Sequence, residues 1–438
     1  MISYFETYLK LSGYDISHAT QKLNLIQSLS PEEFRKCQDN KKWDIASYHY
    51  ENNPFYRKKV GNNFPSKWDD LPIMEKSDFQ NDLEKLFSKG YNRKNTYFAN
   101  TSGSSGQPLY FAKDKEAHAM DWALIKDRYS WHGLKLNSKQ ARFYGIPHEK
   151  WSYRKEKVKD LLMNRIRFSV FDLSDNILQE YLIKFKHIKF QFIYGYTNSI
   201  VMFARYLIRK KIVLNNICQT LKCCITTSEV LTIEDRELLL RAFGVKVVNE
   251  YGVSEAGQMA IENNQGDWLL ADEISNIELI EDESGKINGT DYGRIVITDL
   301  DNKAMPFIRY NIGDLGIISK ELSENGKNRK LEKLLGREND NIYLPSGKVS
   351  PGFTLYYVSR SILESTGVLK EYIIRQTKLD EFIFEVVTNE PLTEYQENDI
   401  KKKVEIYLEP GLNLVINRVE KIVRPPSGKI KHFHSEIS

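Results

Sequence analysis

Between about residue 96 and residue 250 strand-like and helix-like segments alternate with few breaks. "KNTYFAN" and "PLYFA" read as strands, "KEAHAMDWALIKDRYSW" as a helix and "ARFYGI" as a strand. "DNILQEYLIKF" reads as a helix after "RFSVFDLS", and "FQFIYGY" as a strand. "TNSIVMFARYLIRKK" is amphipathic, with Ile200, Phe203, Ala204 and Leu207 spaced to share one helical face. "LKCCITTS" is a strand and "TIEDRELLLRAFG" a helix that Thr232 can cap and Gly244 can end; "VKVVNEYG" is a strand again. Parallel neighbours need a crossover between them, usually a helix, so this alternation predicts an α/β chain with a mostly parallel, helix-covered sheet.

The flanks differ. The first hundred residues read as mainly helical and polar, with a helix start in "SPEEFRKC", where Ser30 caps, Pro31 suits the first turn, and Glu32 and Glu33 favour the positive helix end. After about residue 265, "NIELI", "GRIVITDL" and "LGIIS" read as short strands separated by turns such as "EDESGKINGTDYG", which predicts a small β-rich subdomain. The last hundred residues, with "YIIRQ", "EFIFEVV" and "LNLVINRVEKIV", predict a compact α+β unit, with a boundary near "LLGRENDNI".

Length and charge narrow the function. The chain's 438 residues suffice for two or three domains with a sizeable core. Hydrophobic residues make up 41%, and the net charge of +4 is spread without a block of one sign. Nucleic-acid binding gains no support from this, and no apolar run approaches the ~20 residues that span a bilayer, so no stable membrane insertion is expected. "MISYFETYLKLSGYD" has no apolar signal core. Of the four cysteines, Cys37, Cys218, Cys223 and Cys224, the adjacent pair in "LKCCITT" reads as buried strand thiols. No paired Cys/His spacing of the zinc type occurs, and free thiols point to the reducing cytoplasm.

Chemistry concentrates in a few stretches. Thr101-Ser102-Gly103-Ser104-Ser105-Gly106 lies between two strands. A flexible tether has no purpose there, and a cloning remnant would sit at a terminus. A loop whose backbone N–H groups and hydroxyls hold an anion fits best. It is not a loop of the GxxxxGK[ST] type, because Gln107 and Pro108 follow. In "VVNEYGVSEAG" a strand is expected to end at Asn249-Glu250 and turn at Tyr251-Gly252, with Tyr251 able to stack on a base and Glu255 able to hold a hydrated cation. A turn with a solvated glutamate reads equally well. In "PFIRYNIGDLG", Asp314 can accept from two sugar hydroxyls, or is a β-turn aspartate. "LLGRENDNI" carries Arg337 in what also reads as an ordinary loop. "PPSGKIKHF" carries Lys429, a point charge on a Pro-started segment; the Ser-Gly-Lys copies at 284–286 and 346–348 read as hairpin turns.

The order of these stretches resembles the adenylate-forming (AMP-binding) superfamily, most closely its phenylacetate–CoA ligase branch. "GRIVITDLDNKAMPFIRYNIGDLG" is similar to the capsule-locus members and to relatives that adenylate a deazaflavin. The resemblance runs from about residue 95 to the end. It implies a large N-terminal adenylate-forming domain over residues 1–336, with mixed sheets and a β-rich subdomain. A small mobile α+β domain over 337–438 would carry the lysine.

By position, the resemblance implies that Thr101, Ser102, Gly103, Ser104, Ser105 and Gly106 embrace the β- and γ-phosphates of ATP. Ser228 and Glu229 would lie along the adenine, with Tyr251 against its other face and Gly252 beside it. Glu255 would hold Mg²⁺, Asp314 would take the ribose hydroxyls with Arg337 nearby, and Lys429 would reach the α-phosphate and the acid; Lys429, Glu255 and Arg337 are the implied catalytic residues. The implied reaction activates a small carboxylic acid as its acyl-adenylate, releases pyrophosphate, and passes the acyl group to a thiol such as coenzyme A. An amine acceptor, AMP transfer to a hydroxyl, a non-catalytic nucleotide-binding scaffold and a homodimer all stay open. Asn339, followed by Asp340, departs from the family's usual aspartate two residues after the Gly-Arg pair. "QMAIENNQGDWLLADE" lacks the Cys and His that hold zinc in some relatives, so no metal is expected there. "ARFYGIP" and "QFIYGYTNS" bring Tyr144, Tyr194 and Tyr196 either to the acid pocket or into core packing.

Overall fold

The computed structural model describes residues 4–80, 82–101, 109–145, 150–287, 290–337, 341–347, 349–351, 355, 369–388, 390–423 and 432–437. The chain opens with helices α1 (Tyr4–Leu11), α2 (Ile16–Ser28), α3 (Pro31–Asn52) and α4 (Pro54–Val60). Ser30 and Glu33 form a reciprocal capping box that satisfies two otherwise orphaned donors at the start of α3.

Strands β1 (Tyr97–Asn100) and β2 (Tyr110–Lys113) form an antiparallel hairpin. The α/β region then runs α5 (Lys115–Ser130), β3 (Gln140–Phe143), α6 (Lys150–Leu162), β4 (Arg165–Phe168), α7 (Asp175–His187), β5 (Phe192–Tyr196), α8 (Thr197–Arg209), α9 (Leu214–Ile217), β6 (Cys223–Thr227), α10 (Ile233–Phe243) and β7 (Lys246–Val253). Thr232 caps α10 by accepting from the Asp235 N–H, and Gly244 ends it in the left-handed region at φ 69°. Strands β8 (Gly257–Glu262), β9 (Trp268–Leu270), β10 (Ser275–Ile287), β11 (Thr290–Asp299), β12 (Tyr310–Leu322) and β13 (Arg329–Arg337) follow.

Eleven strands share one sheet in the order β10-β11-β12-β13-β9-β8-β7-β6-β5-β3-β4. Strands β4, β3, β5, β6 and β7 are parallel, and every later pairing is antiparallel. The expected β-rich region is present as the antiparallel strands β10 to β13. Its strands continue the α/β sheet through β9, which meets β13 at the single register pair Lys330↔Leu269. They are also not short: β10 and β12 span 13 residues each, and most of the "turn" at 281–293 is strand, with a register shift between Glu281 and Lys286.

Both faces of the parallel half are covered. Phe143, Phe168, Ile193, Cys224 and Val247 pack under α7, α8 and α10, where Ile200, Phe203, Ala204 and Leu207 form the buried face of α8. Phe192, Cys223, Ile225 and Val248 face α5 through Tyr129. All four cysteines are free thiols, and Cys218, Cys223 and Cys224 are buried. A further core gathers Tyr56 and Phe79 of the N-terminal region, Leu109 and Phe111 of the hairpin, and Tyr251, Phe307 and Tyr310.

Strands β14 (Asn341–Tyr343) and β15 (Val349–Pro351) pair with each other. Then β16 (Leu369–Lys378), β17 (Glu381–Thr388), α11 (Glu394–Tyr407), β18 (Asn413–Arg418) and β19 (Phe433–Ser435) build a four-stranded sheet in the order β18-β17-β16-β19. Its core joins Ile374, Phe382, Phe384 and Val386 to Ile400 and Val404 of α11.

One buried cation ties the hairpin to the sheet. Lys113 of β2 lies 2.8 Å from Asp121 of α5 and 3.1 Å from Asp299 of β11. Removing one partner of a buried ionic group strands the others, at a cost of about 3–5 kcal/mol. Lys113→Ala should accordingly lose about 3–5 kcal/mol of unfolding free energy in urea titration; a loss under about 1 kcal/mol contradicts this role.

Candidate active site

Strand β7 does not end at Glu250. It runs on through Tyr251 and Gly252 to Val253, and the chain reverses over residues 254–256 before β8. The expected Tyr251-Gly252 turn is thus displaced by a few residues, because the two strands approach too closely for side chains at this point. A Cβ on Gly252 would meet the Gly257 carbonyl oxygen at 2.9 Å, and Gly257 itself has φ +80°.

Two carboxylates converge beyond this reversal. Asp314 lies in β12, next to Gly313 at φ +76°, and is the register partner of Arg337 on β13. Its Oδ2 accepts from the Tyr251 hydroxyl at 2.7 Å, and its Oδ1 lies 3.2 Å from Arg337 Nε. It is a strand residue, so the β-turn reading is corrected. Burial and the Asp314 carboxylate push the Tyr251 hydroxyl far above its ordinary pKa, so it stays a donor.

Glu255, on the reversal, is 8% exposed and accepts from the Tyr310 hydroxyl at 3.2 Å. The solvated-glutamate alternative is therefore excluded. Burial raises the Glu255 carboxyl above the usual range; hydrogen bonding to its own backbone and to Tyr310, and the Arg337 charge, pull it back, while Asp314 adds to the rise. Lys76, which sequence reading missed, also feels both Arg337 and Glu255; burial and then Arg337 lower its pKa. Nothing near Lys76 in sequence marks it, since only the fold brings it to these strands.

Of the serine- and glycine-rich stretch, Thr101 is described. Its N–H donates to the Leu109 carbonyl at 2.9 Å, and its Oγ1 accepts from the Leu109 N–H at 2.9 Å. Ser102, Gly103, Ser104, Ser105 and Gly106 lie outside the described residues, as do Lys429, Asn339 and Asp340. The stretch is rooted on the β1–β2 hairpin, and Leu109 and Phe111 share one core with Tyr251, Ala256 and Tyr310.

Ser228 follows β6 with φ +68°, in the left-handed region that non-glycine residues seldom occupy. Glu229 holds the start of α8: its carboxylate accepts from the Asn198 N–H at 2.8 Å and its carbonyl from Thr197 Oγ1 at 3.1 Å. Asn198 also reaches the terminal sheet, with Nδ2 2.9 Å from His432 Nε2. His432 Nδ1 lies 3.0 Å from the Tyr372 carbonyl, which only accepts, so Nδ1 carries the proton and Nε2 accepts from Asn198. No sequence signal pairs residues so far apart.

The three tyrosines singled out from sequence come together. Tyr144 and Tyr196 have ring centroids 4.2 Å apart, and Tyr144 lies nearly parallel to Tyr194 at 5.8 Å. Beside them sits Glu250, which accepts from Tyr194 at 2.6 Å, Gln258 at 2.8 Å and Tyr129 at 3.2 Å.

No family model matches the chain. Protein CapK of Staphylococcus aureus is 25% identical over 432 residues, covering 91% of this chain and 90% of that protein. The phenylacetate-coenzyme A ligase of Thermus thermophilus is 28% identical over 182 residues, 39% of this chain and 40% of that protein. A crystal structure of 2-hydroxyisobutyryl-CoA ligase in the postadenylation state, in complex with R3-HIB-AMP, superposes with a TM-score of 0.71 at 17% identity, over 94% of this chain and 91% of that one. The fold is that of the adenylate-forming enzymes. The resemblance read from the motifs stands, on the side of the phenylacetate–CoA ligase-like, acid–thiol ligase-like enzymes.

The raised Glu255 carboxyl has a sign-definite consequence. The folded chain binds that proton more tightly than the unfolded chain, so stability falls as pH rises through the interval between the unfolded and folded pKa values. Glu255→Gln should be more stable than the wild type at neutral pH in urea titration. The difference should vanish below the ordinary carboxylate range; a destabilised variant at neutral pH contradicts the assignment.

Proposed function

We propose that the protein binds ATP and a carboxylic acid, joins them as an acyl-adenylate with release of pyrophosphate, and passes the acyl group to a thiol such as coenzyme A. The observation that carries this reading is the connected set Tyr251–Asp314–Arg337 and Glu255–Tyr310, sharing a core with the root of the serine- and glycine-rich hairpin. Acyl-adenylate formation requires a triphosphate and a carboxylate to be brought together, so cations and oriented donors must offset their repulsion.

Each group has a task of matching chemistry. Asp314 keeps acceptor capacity beyond the bonds from Tyr251 and Arg337, since a carboxylate offers about four lone-pair sites, and it takes the ribose hydroxyls. Ser228 and Glu229 bound the adenine. Thr101 to Gly106 hold the β- and γ-phosphates through N–H groups and hydroxyls. Glu255 fits Mg²⁺, because the ion is commonly held by one or two carboxylates together with substrate phosphates. Mg²⁺ bound there supplies positive charge to the triphosphate. The lobe at 337–438 moves to bring Lys429 to the α-phosphate and the acid. A carboxylate oxygen then attacks the α-phosphorus and pyrophosphate leaves; a thiol sulfur, its proton lost to solvent, attacks the acyl carbon and AMP leaves. Free thiols, and the lack among the described residues of any helix long and apolar enough to cross a membrane, support a cytoplasmic site of action.

Acid-dependent exchange of labelled pyrophosphate into ATP tests this directly. The wild type should exchange, and Lys429→Ala should lose roughly 10²–10³ in exchange rate while still binding ATP. Near-full exchange in that variant refutes the lysine's role. Thioester, amide or adenylylated acceptor as the final product separates the acyl and AMP acceptors.

A further inference from the structure

One cation at the carboxyl edge of the parallel strands lies close enough to lower the Glu250 pKa, which burial raises, yet its Nε has no hydrogen-bond acceptor among the described residues. Arg142 of β3 is the register neighbour of Tyr194 on β5 and Arg167 on β4. Its guanidinium carbon lies 4.0 Å from the centroid of the Tyr144 ring and 4.9 Å from that of Tyr194. Its Nε is buried and meets no hydrogen-bond acceptor among the described residues. Arg167 shows what a structural arginine does in this setting: its Nη2 pairs with Glu156 at 2.5 Å and with Asp160 at 3.0 Å, both on α6.

Glu250 feels the Arg142 charge, but its hydrogen bonds come from Tyr194, Gln258 and Tyr129. Gln258, 7% exposed, spends its amide N–H on Glu250 and leaves its Oε1 without a donor. Among the described residues an open donor, Arg142 Nε, and an open acceptor, Gln258 Oε1, thus border one tyrosine cluster, and only the donor suits an anion. The surroundings add positive charge: Arg142, Lys159, Arg165 and Arg167 are set against Glu156 and Asp160. Ligands of open α/β sheets bind outside the carboxyl ends of the strands, which is where Arg142, Tyr144, Tyr196 and Glu250 lie.

We propose that Arg142, lying against the rings of Tyr144 and Tyr194, recognises a second anionic group on the acid, so that the substrate is a dicarboxylic or similarly doubly anionic acid. The inference rests on the adenylation reading and names its substrate class. A planar guanidinium packed against two rings presents its donors in a fixed fork that matches a carboxylate. A hydrocarbon acyl chain in the same place would leave the Arg142 Nε unpaired and cut off from water, which disfavours it.

The test is pyrophosphate exchange with matched acids: butyrate against succinate, phenylacetate against 4-carboxyphenylacetate, and 3-phosphoglycerate as a phosphate-bearing arm. Doubly anionic members should exceed their neutral-tailed counterparts in kcat/KM by about tenfold or more. Arg142→Ala should raise the KM for the preferred acid about 10- to 100-fold with the KM for ATP unchanged, and Arg142→Lys should recover part of the loss. Preference for a neutral-tailed acid, or an acid KM within twofold in Arg142→Ala, overturns the inference and leaves adenylation standing. Exchange with none of the acids sinks the adenylation reading and this inference with it. If both variants fail to fold, as thermal unfolding would show, the wild-type preference between matched acids decides alone.

Discussion

The hydrogen bond from Tyr251 to Asp314 joins the two halves of the large sheet at the place where chemistry is proposed. Tyr251 belongs to the last parallel strand, Asp314 to the long antiparallel strand β12. Elsewhere these halves connect through β9, three residues long and in register with β13 at one pair. A short bond between a buried hydroxyl and a charged oxygen resists displacement, because neither group finds another partner without water. It sets the distance between the Glu255 reversal and the Asp314–Arg337 pair, and Tyr310, beside Glu255, packs in the same core as the hairpin that roots the serine- and glycine-rich stretch.

The candidate site is costly to the fold. Glu255 is buried against its ordinary preference to ionise, Ser228 holds a left-handed backbone, and Arg142 Nε and Gln258 Oε1 lack partners. The same kinds of cost occur singly elsewhere: Asn164, Lys211 and Arg309 hold positive φ, and burial raises the Asp121 carboxyl, while Arg167 and Lys113 are paired and Ser30 and Thr232 close their helices as sequence rules require.

Local signals carried the sequence reading well. The caps at Ser30, Thr232 and Gly244 and the buried face of α8 follow from spacing and residue type alone, and the structure has them. Motif order singled out Glu255 and Asp314 as candidates, but not their burial. What sequence could not supply depends on contacts across the chain. The strands after residue 265 read as a β-rich subdomain, and nothing local shows that β9 will splice them to the parallel half. Helix α6, rich in lysine, has too few apolar residues to mark a face, and it forms because Glu156 and Asp160 meet Arg165 and Arg167 on the next strand. Arg142, Lys76 and the His432–Asn198 contact acquire meaning only when distant segments lie side by side.

Everything proposed depends on one triphosphate being held between the hairpin and the Asp314 cluster. A crystal structure of the protein soaked with ATP and Mg²⁺ tests that most directly. The account predicts ribose hydroxyls on Asp314, the β- and γ-phosphates against residues 102–106, and the α-phosphate facing the tyrosines around Arg142. Nucleotide bound away from Asp314, with the hairpin untouched, would contradict it.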